Sequence, residues 1–194
     1  MGYLEVILDY ANRLLSSANQ PLVTKQELQT KGIKGIIASR KISKLRLYFY
    51  IFIARRNLVS HIHQVKPFPG IEEVLQTLSK RHKLGIITSS SNQAVEKFLL
   101  VNKLTQYFDF VHSEFGLFNK HQKIKKAIIK HHLRADQTFY IGDETRDIHA
   151  AKKAGVGAIG VTWGFEGKML IKKTKPDFLV DKPNDLVNVV QRLG

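Results

Sequence analysis

The chain contains no cysteine. It therefore cannot form disulfide cross-links or bind a metal ion through thiolates, which excludes the disulfide-rich secreted class and cysteine-based zinc sites. The absence of cysteine fits a reducing compartment. The first apolar residues are interrupted by Glu5 and Asp9, which is unlike a signal peptide. We therefore expect a cytoplasmic location.

Long apolar runs and acidic residues are also scarce. The longest apolar run, Leu47–Ala54, has 8 residues, far fewer than the roughly 20 that a membrane-spanning helix needs, so we expect no membrane association. The chain has 16 acidic residues and 31 Lys and Arg residues. Ten of these basic residues lie in the segment from Pro21 to Lys66, which contains a single acidic residue, Glu27. Such a segment is typical of a solvated basic face, a site for an anionic small substrate or a nucleic-acid contact.

The chain divides into two parts at KPFPG, Lys66–Gly70, where two prolines and a glycine interrupt regular structure. With 194 residues, 43% of them hydrophobic, the chain is long enough for one domain with a small attached module. The spacing of apolar residues before the break predicts a helix over Tyr3–Leu15 and a buried helix within Lys44–Val59.

Short apolar strands alternate with amphipathic helices after Gly70. The predicted strands are Leu84–Thr88, Phe108–Ser113, Thr138–Gly142 and Gly157–Trp163. This alternation is typical of βα units around a parallel sheet, and therefore of the α/β class. Because such sheets place their sites at the carboxyl ends of the strands, we expect the residues that follow these strands to meet at one edge.

Two carboxylates follow the third predicted strand in the sequence IGDETRD. Asp143 comes directly after the strand and Asp147 lies four residues further on, so both can face one point above the sheet if a helix begins near Glu144. Oxygen ligands of this kind suit Mg²⁺. The alternative is structural, with Asp143 as a helix cap and Asp147 as a charge in the first helical turn.

Hydroxyl groups and a lysine follow the other strand ends. The run Thr88–Ser91 is suited to binding phosphate oxygens at a strand-to-helix turn, or simply to capping the next helix. Lys120 begins a predicted helix, where its charge could reach the same edge. Together these groups indicate a phosphoryl-transfer site, in which Mg²⁺ and Lys120 neutralise charge and a hydroxyl orients the phosphate.

From Pro67 to about Leu193 the chain resembles a haloacid dehalogenase-superfamily hydrolase of the phosphoglycolate-phosphatase kind. The resemblance is carried by PFPGIEEVLQTL, LGIITSSS, FGLFNKHQKIKKAI and, most specifically, FYIGDETRDIHAAKKAGVGAIGVTWGF. It implies a Rossmann-like parallel sheet flanked by helices over residues 67–194 and a small helical cap over residues 1–66. It also implies a phosphatase that hydrolyses a small phosphorylated, anionic metabolite.

The resemblance also implies a role for each candidate residue. Thr88 would hydrogen-bond the transferring phosphoryl group, with Ser89 beside it at the phosphate. Lys120 would balance the charge on the nucleophile and the phosphate. Asp143 would bind Mg²⁺, and Asp147 would hold a metal-bound water or Lys120.

The first motif of that family, a strand followed by Asp-x-Asp-Gly-Thr, has no counterpart here. None of the eight aspartates is followed two residues later by a second aspartate. Asp9 is the best candidate for the first Asp of the motif, but Ala11 occupies the position of the second Asp, and Asp9 lies within a helical pattern. We therefore expect the nucleophile and the first core strand to be missing, as though the chain began just after the motif. Without a covalent nucleophile, we expect activity near background.

In the family that strand lies between the LGIIT and TFYIG strands. Its absence would leave a slot roughly 9–10 Å wide, lined by backbone groups that are costly to leave unpaired. We expect one of three outcomes: the two strands close up and pair, the slot is filled by another segment or a second chain, or the protein is poorly stable. We favour a marginally stable fold with the slot closed or filled, and filling by a second chain would make a homo-oligomer.

Two other functions stay open at this point. A pseudo-phosphatase would bind anions or a protein partner without turnover. A nucleic-acid-binding protein would use the basic helical region, although the sequence contains none of the familiar nucleic-acid-binding motifs.

Overall fold

The N-terminal part of the chain folds as two helices. A computed structural model describes residues 3–17, 19–39, 62–113 and 119–192, and its first elements are α1, Tyr3–Ser17, and α2, Lys25–Ser39. We call α1 and α2 the helical pair. Their apolar faces form a cluster of their own with the connecting segment, consisting of Leu4, Leu15, Val23, Leu28 and Ile36. The predicted first helix is confirmed, α2 was not predicted, and the helix predicted within Lys44–Val59 lies outside the described residues.

The rest of the chain alternates strands and helices as predicted. The strands are β1, Gly85–Thr88; β2, Phe110–Ser113; β3, Phe139–Gly142; β4, Gly157–Val161; and β5, Phe178–Val180. The helices are α3, Ile71–Leu78; α4, Asn92–Val101; α5, Lys120–Lys130; α6, Thr145–Ala154; α7, Lys168–Lys173; and α8, Asp185–Gln191. The four predicted strands are confirmed with slightly shorter bounds, and β5 is an addition that the sequence pattern did not predict.

Every strand pairing in the described residues is parallel, as expected for βα units. β1 pairs with β2, so that Ile87 lies opposite His112. β3 pairs with β4, and β4 pairs with β5, so that Ile141 lies opposite Ile159. The order β3-β4-β5 follows the chain, and each crossover carries a helix that packs back on the strands. The α/β class with helices flanking parallel strands is confirmed.

The strands form two sheets rather than one, because β1 and β3 do not pair with each other. Between them lies an apolar cavity of about 420 Å³ lined by both strands and by α3, α5 and α8. We call this cavity the slot. The Tyr140 hydroxyl donates a hydrogen bond across it to the carbonyl of Ile87, at 3.1 Å. Direct pairing of the two strands, one of the three expected outcomes, is therefore wrong. Filling by residues outside the described ranges or by a second chain, and low stability, stay predictions.

Helix α6 is the centre of an apolar cluster of eight buried residues. Ile148 and Ala151 are fully buried in it, and they pack with Ala158 of β4 and Ile171 of α7. A second cluster joins α3 and α8 to the other side of β4 and β5. The two clusters fix the β3–α6 junction on both sides of the sheet. None of the helices described here has the length and apolar character to cross a membrane.

Candidate active site

Three carboxylates converge where β3 passes into α6. Glu144 has an extended backbone (φ −128°, ψ 148°) and directly precedes the first helical residue, Thr145. Asp143, Glu144 and Asp147 each offer an oxygen, and these oxygens all lie within 4.8 Å of one another. The predicted helix start near Glu144 is therefore confirmed, and with it the convergence of Asp143 and Asp147. We call these three residues the acidic cluster.

Lys120 reaches the acidic cluster from the start of α5. Its ammonium group forms a short, direct ion pair with the Asp147 carboxylate, with 15% and 5% of the two side chains exposed. Burial by itself lowers the pKa of Lys120, but Tyr140 and Asp147 outweigh it and raise the pKa above its usual range. Burial raises the pKa of Tyr140 to about 12, so this phenol is neutral near pH 7 and Asp147 is the charge that holds Lys120 protonated there.

A loop after β4, Trp163–Gly167, holds Asp143 from the other side. The Phe165 N–H donates to the Asp143 carboxylate at 2.7 Å, and the Glu166 N–H donates to the Asp143 carbonyl at 3.1 Å. A Cβ atom at Gly164 would lie 2.1 Å from the Asp143 carboxylate. Glycine is therefore required at 164 for the loop to approach closely enough to make these hydrogen bonds.

Burial makes negative charge in the acidic cluster unfavourable. Burial, and then the neighbouring Asp147, raises the pKa of Asp143. Burial also raises the pKa of Glu144 to about 7, although Arg146 lies 2.6 Å from its carboxylate. A divalent cation would relieve this crowding, and three hard oxygen ligands suit Mg²⁺. The residues present therefore fit a magnesium ion.

Arg146 adds a cationic group with spare hydrogen-bonding capacity. One nitrogen of its guanidinium pairs with Glu144, whereas its buried Nε has no hydrogen-bond partner among the described residues. A buried donor without a partner is uncommon in folded proteins. An anionic ligand oxygen could satisfy it.

The hydroxyl run lies at the end of β1, on the other side of the slot. The Thr88 hydroxyl accepts a hydrogen bond from the Ser90 N–H at 3.1 Å, and Ser91 caps α4 by accepting from the Ala94 N–H at 3.3 Å. The structural interpretation is therefore confirmed for Ser91. No hydrogen bond between Thr88 and Lys120 or Asp143 occurs in the described ranges, so phosphate binding by Thr88 and Ser89 stays a prediction.

Asp9 does not belong to this site. It lies in α1 with about half of its side chain exposed, and it pairs with Arg13 one turn further along the helix at 2.9 Å. Its surroundings are those of a surface ion pair, so the exclusion of Asp9 as a nucleophile agrees with the structure.

Sequence reasoning missed Glu166, which is 5% exposed. Its carboxylate accepts a hydrogen bond from the Thr145 N–H at 2.7 Å, where the start of α6 presents a free backbone donor and positive dipole charge. The only signal was its position just past VTWGF, a predicted strand end. Tyr140 and Arg146 were also missed, and Glu144 was noted only as an acidic residue at the helix start, because their roles depend on burial rather than on spacing.

Comparison with known proteins gives a consistent result. A family model described as "Haloacid dehalogenase-like hydrolase" matches residues 4–161. The chain is 32% identical over 140 residues to a phosphoglycolate phosphatase from Synechococcus elongatus, a match covering 72% of this chain and 66% of that protein. It is 30% identical over 138 residues to the pyrophosphatase PpaX from Bacillus mycoides, covering 69% and 64%. The matches thus span just under two thirds of the length of these curated relatives.

Solved structures agree on the fold. The chain is similar to a haloacid dehalogenase-like hydrolase from Streptococcus pneumoniae, with TM-score 0.78, 22% identity and 96% of this chain and 89% of that chain covered. It is also similar to a predicted phosphatase from Clostridium acetobutylicum, with TM-score 0.84, 21% identity and 97% and 92% covered.

Proposed function

Because the chain belongs to the haloacid dehalogenase-like hydrolase family, we propose that its residues form the phosphate-binding and magnesium-binding half of a phosphatase for a small phosphorylated metabolite. One observation carries the proposal, namely the buried Lys120–Asp147 pair beside Asp143 at the end of β3. The similarity to a phosphoglycolate phosphatase and to a pyrophosphatase makes phosphoglycolate and pyrophosphate the first substrates to test.

Each residue takes one role in this proposal. Asp143 holds Mg²⁺, which supplies charge neutralisation at the phosphate when it is bound. Asp147 fixes the ammonium of Lys120, and Lys120 balances the negative charge of the phosphoryl group. The Thr88 hydroxyl donates a hydrogen bond to a phosphate oxygen, with Ser89 next to it. The Nε of Arg146, which has no hydrogen-bond partner in the part of the chain that the structure describes, is a further donor for an anionic oxygen.

The nucleophile is the part that this sequence does not carry. It contains no Asp-x-Asp pair, and the slot between β1 and β3 separates Thr88 from the acidic cluster. We therefore expect no Mg²⁺-dependent hydrolysis of p-nitrophenyl phosphate above that of a Thr88→Ala, Asp143→Ala control. Turnover that requires Mg²⁺ and disappears with Asp143→Ala would mean that another group in these residues serves as nucleophile.

The decisive experiment restores the motif. An apolar strand followed by an Asp-x-Asp-Gly-Thr turn is fused ahead of Tyr3, and hydrolysis of p-nitrophenyl phosphate, phosphoglycolate and pyrophosphate is measured with and without Mg²⁺. We expect activity in the fused chain that is lost with Asp143→Ala. The matched control replaces the first added Asp by Asn, which keeps the strand and removes only the nucleophile. A folded fusion without activity would contradict the roles given to Thr88, Lys120 and Asp143.

A non-catalytic function is the second candidate, and the missing Asp-x-Asp pair is the observation that favours it. A pseudo-phosphatase of this kind would bind phosphate through Lys120 and Arg146 without turnover. Phosphate binding by the parental chain combined with an inactive fusion would support it. The proposed cytoplasmic location and homo-oligomer apply to either candidate.

Nucleic-acid binding is the remaining alternative. Most of the basic residues that motivate it lie in residues 40–61, outside the described ranges. Binding of DNA or RNA that falls steeply with salt concentration would favour it over both phosphatase proposals.

A further inference from the structure

The loop Trp163–Gly167 contacts both the acidic cluster and the helical pair. On the cluster side, the Phe165 N–H donates to the Asp143 carboxylate and the Glu166 carboxylate accepts from the Thr145 N–H, each at 2.7 Å. These two contacts fix the orientation of Asp143 and the start of the helix that carries Asp147.

The same residues meet the helical pair. The Phe165 side chain packs into the apolar cluster of α1 and α2. The Gly167 N–H donates to the Gln29 carbonyl of α2 at 3.0 Å. Gly32 of α2 lies against the Glu166 carboxylate, so closely that an added Cβ would be 2.6 Å from its oxygen.

Gly32 also has a backbone conformation that suits only glycine. Its φ of 64° and ψ of 173° interrupt the helical geometry of α2, and side chains are strongly disfavoured there. The interruption lets α2 approach the buried carboxylate of Glu166, which accepts a hydrogen bond from the Thr145 N–H at the start of α6. The contact is therefore specific to this position in the helix.

We propose that Trp163–Gly167 is a latch through which the position of the helical pair sets the geometry of the acidic cluster, with Phe165 and Glu166 as positioning residues. Phe165 connects the two directly, because its ring packs against the helical pair and its N–H donates a hydrogen bond to the Asp143 carboxylate. Movement of α1 and α2 away from the core withdraws that N–H from the carboxylate. A cation at Asp143 and a ligand that draws the helical pair onto the core then bind cooperatively, since coupling between two sites is reciprocal.

The inference rests on the proposed function only in taking Asp143 as a magnesium ligand. Its first test uses Phe165→Ala in the full chain, which keeps the N–H and every charge but removes the ring from the helical pair. We expect Mg²⁺ binding measured by calorimetry to weaken about tenfold, the scale on which groups that orient metal ligands act. Phe165→Leu should recover most of the affinity.

A matched control separates this effect from loss of stability. Leu104→Ala removes a side chain that is 2% exposed and that belongs to neither of the clusters in which Trp163 and Phe165 pack. It should leave Mg²⁺ affinity within about twofold of the parental value. Equal losses of affinity in Phe165→Ala and Leu104→Ala would overturn the proposal, and so would an unchanged affinity in Phe165→Ala.

A second test does not depend on magnesium. Gly32→Ala should push α2 away from Glu166, whereas Gly35→Ala on the same helix would contact only Lys31 of that helix. We expect amide hydrogen exchange at Thr145, Phe165 and Glu166 to accelerate at least fivefold in Gly32→Ala and to stay unchanged in Gly35→Ala. Equal exchange in both variants would refute the latch. If the parental chain binds no Mg²⁺, the proposed role of Asp143 as a magnesium ligand is wrong. The comparison of hydrogen exchange in Gly32→Ala and Gly35→Ala still tests the latch in that case.

Discussion

Glu144 should make the stability of this chain depend on pH. Its pKa rises from an ordinary 4.5 to about 7 on folding because the carboxylate is buried. Between these two pH values the folded chain binds more protons than the unfolded chain, so the free energy of unfolding falls as pH rises through this window. We expect a loss on the order of 1–3 kcal/mol between pH 5 and pH 8 in metal-free buffer. Urea unfolding at the two pH values measures it.

Glu144→Gln should remove most of this pH dependence, because glutamine does not titrate. The exposed Glu96→Gln on α4 is the matched control and should leave the parental dependence intact. A Glu144→Gln chain that loses as much stability between pH 5 and pH 8 as the parental chain would show that other groups cause the effect.

Lys120 and Asp147 should show the asymmetry of a buried ion pair. Lys120→Met leaves the almost fully buried Asp147 without its partner, and we expect a loss of about 3–5 kcal/mol in the free energy of unfolding. Adding Asp147→Asn should recover much of this loss, because the uncompensated charge is gone. Chemical unfolding of the single and double variants checks both values. A double variant less stable than Lys120→Met would contradict an electrostatic cause.

Residues of the site could be predicted where they lie in the segment between a strand end and the first turn of the next helix. Lys120, Asp143 and Asp147 lie in such segments and come together because parallel strands bring their carboxyl ends to one edge. Glu166 could not be predicted in this way, since it contacts Thr145 across 21 positions of sequence. The lack of a hydrogen-bond partner for the Arg146 Nε within residues 3–17, 19–39, 62–113 and 119–192 likewise results from tertiary burial, and no spacing rule describes that.

Among the elements, amphipathic helices and the apolar strands between them were predicted, whereas β5, α7 and α2 were not. α6 has apolar residues on one face, begins beside acidic residues and ends at Gly155, which has a left-handed conformation. β5 has only three residues and α7 only six, so neither is long enough to show a period. α2 was missed because its two glycines, Gly32 and Gly35, weaken the helical pattern.

The connection between α1 and α2 should depend on Asn12. Its side chain accepts a hydrogen bond from the Val23 N–H at 2.7 Å and donates one to the Val23 carbonyl at 2.9 Å, which fixes the segment that enters α2. We expect Asn12→Ala to lower the free energy of unfolding by about 1–3 kcal/mol, because two partly buried backbone groups lose their partner.

Arg13→Ala is the comparison for Asn12→Ala, since it removes the neighbouring exposed ion pair with Asp9 and should cost less than about 1 kcal/mol. Amide exchange localises the effect, with faster exchange at Val23 expected for Asn12→Ala alone. Similar stability losses in the two variants would mean that the hydrogen bonds of Asn12 contribute little.

At the scale of the whole molecule, the split sheet separates the two halves of the candidate site. Thr88 ends β1 and the acidic cluster follows β3, and the slot lies between these strands. The hydrogen bond from Tyr140 to Ile87 is a contact across the slot that replaces part of a strand ladder. The lack of an Asp-x-Asp pair in the sequence predicted a slot at this position, and of the expected outcomes the structure contradicts direct pairing of the two strands.

The slot should therefore bind apolar molecules. Its volume of about 420 Å³ is within the range of small-molecule pockets, and its lining is apolar. Ile141 of β3, which lines it, remains 42% exposed, whereas the middle strands of a parallel sheet are normally buried on both faces. We expect Nile red to fluoresce strongly with the parental chain; this dye is uncharged and so avoids unspecific attraction to a chain of net charge +15. Fusing the apolar strand ahead of Tyr3 should abolish most of the signal, because the strand would occupy the slot and pair with β1 and β3.

The control for surface binding of the dye is Leu100→Ser, which removes a 73% exposed leucine on α4 and should leave the signal unchanged. A signal that persists in the folded fusion but disappears with Leu100→Ser would place the dye on the surface and contradict an accessible slot.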